Sequence, residues 1–264
     1  MNFFKKLLHA LKKPSSPGTG LPAQTVTIDP AHAARESTHA CLDHHWQSVG
    51  TMEQDVLGYA ISPAFTGGSA WPSTRQAYRV VRRGESVILA TDGMSDPFED
   101  AEGLGNGFEM ELFLETPDLP AAFRGTLGNI GPLQDSWAFE LLEHVGKTVA
   151  EAGGITAQLD QYGALSLELP GFSQSNRLST QLPAQFVTDD DAIGVLLGGP
   201  APDFPTRLDD MPLSPVRLVP VQLLTASELE YIRCGGGKAR SDLVARLEAA
   251  GVKHLSSLKR TSLI

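Results

Sequence analysis

Between Phe108 and Glu115 the chain alternates strictly. Phe108, Met110, Leu112 and Leu114 share one parity, while Glu109, Glu111, Phe113 and Glu115 share the other. Successive side chains of an extended strand point to opposite faces, so this period-two pattern predicts a strand with one face on a core and the other mostly in water. Tyr78–Val81 and Ser86–Ala90 read as two further strands joined across Arg82-Arg83-Gly84-Glu85. More strands are expected at 164–169, 185–188, 193–197 and 216–224.

Helix signals interleave with these strands. Asp29 is a good N-cap, because its carboxylate accepts free amide hydrogens, and Pro30 sits where its missing N–H costs nothing; the helix should run to about Val49. Asp135 is the expected cap of a helix to about Ala150, whose apolar stripe is Trp137, Leu141, Leu142, Val145 and Val149. Thr225 and Glu228 fit a capping box, and a last helix spans roughly 239–250, stopped by Gly251. The order lacks a strict βαβ rhythm, so the expected class is α+β, a mixed and mostly antiparallel sheet flanked by helices. Three parts are expected: a basic amphipathic helix over 1–13, a Pro/Gly/Ser linker over 14–25, and one domain over 26–264.

Charge narrows the function. The net charge is −10, yet Lys5, Lys6, Lys12 and Lys13 lie in a 13-residue start that holds no acid; the remainder has 17 basic against 31 acidic residues. A body this negative repels phosphates, so no direct nucleic-acid partner is expected, and a basic protein is favoured. The first 13 residues could lie on an anionic membrane surface, but docking on the protein itself or a partner is the favoured reading. No apolar run approaches the roughly 20 residues of a membrane span. Cys41 and Cys234 build no disulfide framework, which fits a reducing, cytoplasmic location.

Motifs for catalysis are weak. Gly235-Gly236-Gly237-Lys238 has Ala239 where a phosphate loop needs Ser or Thr, and a helix connection explains it better. Gly103, Gly105 and Gly107 open no helix and read as a turn or bulge. His32, His39, His44 and His45 cluster with Cys41 and Asp43, and Cys41 and His45 could share a metal one turn apart. A helix side that exposes histidines is the simpler reading, so no metal or cofactor is expected; a metal-dependent hydrolase is the weakest rival. The segment 92–118 holds nine acids and neither Lys nor Arg. Within it Asp92, Asp96, Glu99, Asp100, Glu102, Glu109 and Glu111 are the candidate partner-binding residues, either a steering patch or a solvated loop and strand face. Asp189-Asp190-Asp191 extends that patch or makes a turn.

The same segment carries a family resemblance. Ser86–Phe98, with Gly93-Met94-Ser95-Asp96-Pro97 at its core, resembles the strand-then-GMS segment of suppressor-of-fused-like domains. Gly107–Leu112 resembles the family's GFE-x-x-L strand, and Trp137 with Leu141-Leu142 its tryptophan-bearing helix. Val221–Glu228, the E-L-x-x-I turn from Glu228 to Ile232, and Leu258–Ser262 fit the family's ending. Order and spacing over residues 75–264, more than any single motif, make the likeness. The resemblance implies an α+β fold and no established active site. The animal member clamps a transcription-factor peptide between two lobes; this chain resembles only the first lobe, so that clamp is not carried over. Bacterial members resemble immunity proteins that neutralise a toxin by binding it. The resemblance therefore implies a protein partner, a basic toxin domain above all; the alternative is a regulatory scaffold tethered by residues 1–13.

Overall fold

The computed structural model describes residues 30–67, 71–73, 76–98 and 105–264. The expected N-terminal helix and linker, and Glu99, Asp100 and Glu102, lie outside the described residues. In chain order the elements are α1 (Pro30–Val49), β1 (Thr51–Met52), β2 (Leu57–Gly58), β3 (Ala77–Arg83), β4 (Ser86–Asp92), β5 (Met110–Thr116), α2 (Ala121–Arg124), α3 (Trp137–Glu151), α4 (Thr156–Tyr162), β6 (Leu165–Pro170), α5 (Asn176–Gln181), β7 (Ala192–Leu197), β8 (Arg207–Leu208), β9 (Val216–Leu224) and α6 (Ala226–Ala249). The class is α+β. One open sheet runs β1-β3-β4-β5-β9-β7-β6, with β2 on β3 and β8 on β9, and every pairing is antiparallel except β5 with β9.

Both faces of the sheet are covered. On one, the α3 stripe of Trp137, Leu141, Leu142 and Val145 packs on Val80, Leu89, Leu112 and Val221. On the other, Leu42 and Trp46 of α1 pack on Val81, Ile88, Phe113 and Leu218. Leu196 and Leu224 meet Ile232, Leu243 and Leu247 of α6. Each such side chain contributes about 1.5–3 kcal/mol on full burial, so the two-sided cover anchors the middle of the sheet. No helix among the described residues is long and apolar enough to cross a membrane.

Three local expectations change. β5 has no wet face: all seven residues are buried, because the strand is central and the C-terminal segment closes over it. There Glu115 accepts from His254 at 2.7 Å and faces Arg83 at 3.4 Å, while the Ser256 amide donates to the Glu115 carbonyl. The cap of α3 is Ser136, not Asp135; its hydroxyl accepts from the Phe139 amide and donates to the Leu133 carbonyl. Residues 185–188 form a 3-10 turn over Ala184–Phe186 and one bridge, Val187 to Ile193, rather than a strand, since Pro183 sets the turn. The Thr225–Glu228 capping box is formed, and Gly236 (φ 59°, ψ −141°) breaks α6 where the glycine run stands.

Candidate functional site

Of the acids expected to face a partner, two are instead built into the interior. Glu111 is fully buried. Its Oε1 accepts from the amides of Gly93 (3.0 Å) and Ser95 (2.8 Å) and from the Ser95 hydroxyl (2.6 Å); the Thr91 hydroxyl lies 2.5 Å from Oε2. Burial, followed by the charge of Asp92, pushes its carboxyl up to about 7 against the pull of these donors. Asp92 is also buried, 3.1 Å from Arg79, which in turn meets Asp43 of α1. Burial raises the Asp92 pKa, and Arg79 and His39 oppose that rise. Desolvated and tied to their own chain, Asp92 and Glu111 cannot steer a partner, and the expectation for them is corrected.

Glu111 has a positional role instead: it fixes the Gly93-Met94-Ser95 turn. That turn interlocks with the next one, because the Phe108 amide donates to the Met94 carbonyl at 2.8 Å. Gly107, at φ 53°, comes so close that a Cβ there would lie 2.4 Å from the Asp96 carbonyl oxygen. The GMS and GFE segments therefore pack on each other.

Asp96 and Glu109 remain accessible, and these turns bring them to one place. Asp96 is partly exposed and bonded to His39 at 2.9 Å; that bond is the chief reason the imidazole pKa is raised. Glu109 is exposed and held at φ 56°, a left-handed conformation rare for a residue with a side chain. Between them stands an aromatic ridge: Phe98, 49% exposed, packs edge-to-face on Phe108 with ring centroids 5.1 Å apart. A cleft of about 350 Å³ flanks the ridge, walled by Arg35 of α1, Trp71, Gln76, Asp96 and Glu151. A second, of about 490 Å³, lies across it, walled by Glu109, Gly154, Thr156 and Gln158. The C-terminal end of α3 thus borders both. Sequence reasoning missed Phe98, Phe108, Trp71, Arg35 and Glu151 as site residues. Only the Pro97-Phe98 step after the GMS turn hinted at an apolar side chain outside any buried period.

The histidines do not converge. His32 is exposed and faces Glu36, His39 serves Asp96, and His44 is exposed. His45 is buried between the rings of Trp46 and Phe204, so the expected histidine-exposing helix side holds only in part; burial and then the charge of His44 lower its pKa. Among the described residues no group of three or more His, Cys, Asp or Glu side chains is placed to hold a metal. Asp189–Asp191 make a turn: Asp190 pairs with Arg233 at 3.1 Å, and the Asp191 carbonyl accepts from Gly171 and Phe172.

Several arginines among the described residues pair with the chain's own carboxylates. Arg82 pairs with Glu53 at 2.7 Å, Arg83 with Asp203 at 2.5 Å, Arg217 with Asp160 at 2.5 Å, Arg233 with Glu168 at 2.5 Å, and Arg260 with Glu228 at 2.5 Å. The net charge of the sequence is −10, and among the described residues Glu109, Glu151 and Glu248 are exposed carboxylates. No family model matches this chain, and no curated protein or solved structure matches it.

Proposed function

We propose that this chain is a non-catalytic protein-binding module of the suppressor-of-fused-like type, acting in the cytoplasm as an immunity protein that neutralises a cognate toxin by covering a basic surface on it. The observation that carries this reading is the ridge: half-exposed Phe98 packed on partly buried Phe108, seated on interlocking hydrogen-bonded turns and rimmed by carboxylates from three different segments. Interfaces of this kind place an aromatic anchor at the centre and charged groups at the rim, where they raise the association rate more than the affinity. The buried acids support the reading indirectly. Glu111 is committed to holding the Gly93–Ser95 turn and Asp92 to its ion pair with Arg79, and a turn held before binding lowers the entropy lost on docking.

The test is co-expression with a basic protein encoded beside this gene. A stable complex is expected, with protection of the host cell. Phe98→Ala should weaken the complex at least about tenfold, as a central anchor does, and Glu151→Lys should slow association and flatten its salt dependence. Turnover of a small molecule by the purified chain, abolished by changing one buried polar side chain, would overturn the reading.

A further inference from the structure

The geometry points to the first cleft as a receptor for an arginine side chain of the partner; this inference rests on the protein-binding reading and specifies what its anchor holds. Three independent features of the cleft favour a planar cation. Its wall is aromatic: Phe98 stands 49% exposed against partly buried Phe108, and buried Trp71 contributes to the same lining. A guanidinium stacks on such faces and keeps its edge free for hydrogen bonds. Carboxylates approach from two elements, Asp96 after β4 and Glu151 at the end of α3, and Glu109 stands across the ridge. The third feature is the end of α3 itself. The helix has 15 residues and terminates at Glu151, and its last turn, Ala150 with Glu151, forms a wall, so the negative end of the helix dipole adds to the field.

Among the described wall residues, one opposes this. Arg35 of α1 is a cation on the same cleft. It supplies the discriminating variant, because removing it should strengthen binding of a cation and weaken binding of an anion. His39, bonded to Asp96, offsets part of the Asp96 charge, so Glu151 is the wall carboxylate expected to contribute most.

The experiment uses the full chain, isotopically labelled, titrated with acetyl-Gly-Arg-Gly-amide and with the same peptide carrying citrulline, a neutral isostere. The arginine peptide is expected to shift the backbone resonances of Gly93, Phe98, Phe108 and Glu151 and to bind about fivefold or more tighter than the citrulline peptide. Phe98→Ala should remove that preference, Glu151→Gln should reduce it, and Arg35→Ala should tighten the arginine peptide about twofold to threefold at low salt. Equal binding of the two peptides, unmoved ridge resonances, or weaker arginine binding by Arg35→Ala would each overturn the inference. The two readings fail separately. A partner complex weakened by Phe98→Ala, with the arginine and citrulline peptides bound equally, overturns the arginine receptor and leaves the binding module standing. Guanidinium selectivity at the ridge of a chain that forms no protein complex overturns the module instead.

Discussion

The Ser95 amide and hydroxyl both point at Glu111 Oε1, at 2.8 and 2.6 Å, so a single buried carboxylate holds the turn that carries Asp96, Pro97 and Phe98. The arrangement tolerates a proton. With Oε2 protonated, it can donate to Thr91 Oγ1, whose own hydrogen then turns to the Leu112 carbonyl at 3.4 Å.

A pH dependence follows. The Glu111 pKa rises from 4.5 in the unfolded chain to about 7 in the fold, so its contribution to stability is fully present below 4.5 and is lost as pH climbs towards 7. The size is on the order of 3 kcal/mol. His39, whose pKa is also raised, loses its contribution in the same direction. The carboxylate is isolated by comparison with Glu111→Gln, which keeps the acceptor and places a donor beside Thr91. In urea titrations the variant should match the parent at pH 5 and exceed it at pH 8. A constant difference between the two across that range would contradict the assignment.

Glu228 behaves in the opposite sense. Burial would raise its pKa, but the hydrogen bond and charge of Arg260, with the amides of Thr225 and Leu263, together outweigh burial and hold it below the usual carboxylate range. Its contribution is therefore present above the unfolded pKa and lost as pH falls through the folded one. Arg260→Met leaves that carboxylate buried without its cation and should cost about 3–5 kcal/mol at pH 7. The deficit should shrink on acidification, as read by thermal melts at pH 7 and pH 4.

Two glycines with positive φ should respond differently to alanine. At Gly107 the new Cβ meets the Asp96 and Met94 carbonyl oxygens at 2.4 and 2.5 Å; at Gly84 it meets nothing within 4 Å. Gly84→Ala should cost about 1 kcal/mol from backbone conformation alone, and Gly107→Ala roughly twice that or more, because backbone must move. Chemical denaturation of both variants checks the ranking.

Phe98 and Phe113 separate binding from folding. Phe113 is fully buried against Trp46 and Phe204, whereas Phe98 is half-exposed. Phe113→Ala should cost about 3–5 kcal/mol of stability. Phe98→Ala should cost about 1 kcal/mol or less, its loss appearing in complex formation instead. A melting temperature that falls equally in both variants would assign Phe98 to the core.

Much of the fold was legible because its signals are local. Pro30–Val49 and Val216–Leu224 match their expected spans, and Thr225 with Glu228 closes the capping box that their spacing announced. Asp135 and Ser136 are both good caps, and only the hydroxyl geometry chooses between them. The wet face expected of β5 failed for a nonlocal reason: Glu115 meets His254, 139 positions later in the chain. Alternation reports which residues share a face, and charge then suggests water; neither shows that a distant segment supplies the partners. The ridge was hidden for a similar cause. Phe98 belongs to no periodic run, and its neighbours Trp71, Arg35 and Glu151 come from three separated segments, a loop and two helices. Asp96 and Glu109 were singled out from charge alone and keep some exposure, while Asp92 and Glu111 show that the same charge can serve the interior.

The parallel pairing of β5 with β9 has a consequence for biogenesis. Met110–Phe113 are hydrogen-bonded to Arg217–Pro220, about a hundred positions downstream, and β9 then carries β7 and β6 on its far side. During synthesis the first half of the molecule must wait with an open, apolar ladder until that late strand leaves the ribosome. A nascent chain arrested near residue 200 should recruit chaperones or aggregate, and a fragment ending there should not assemble the ridge.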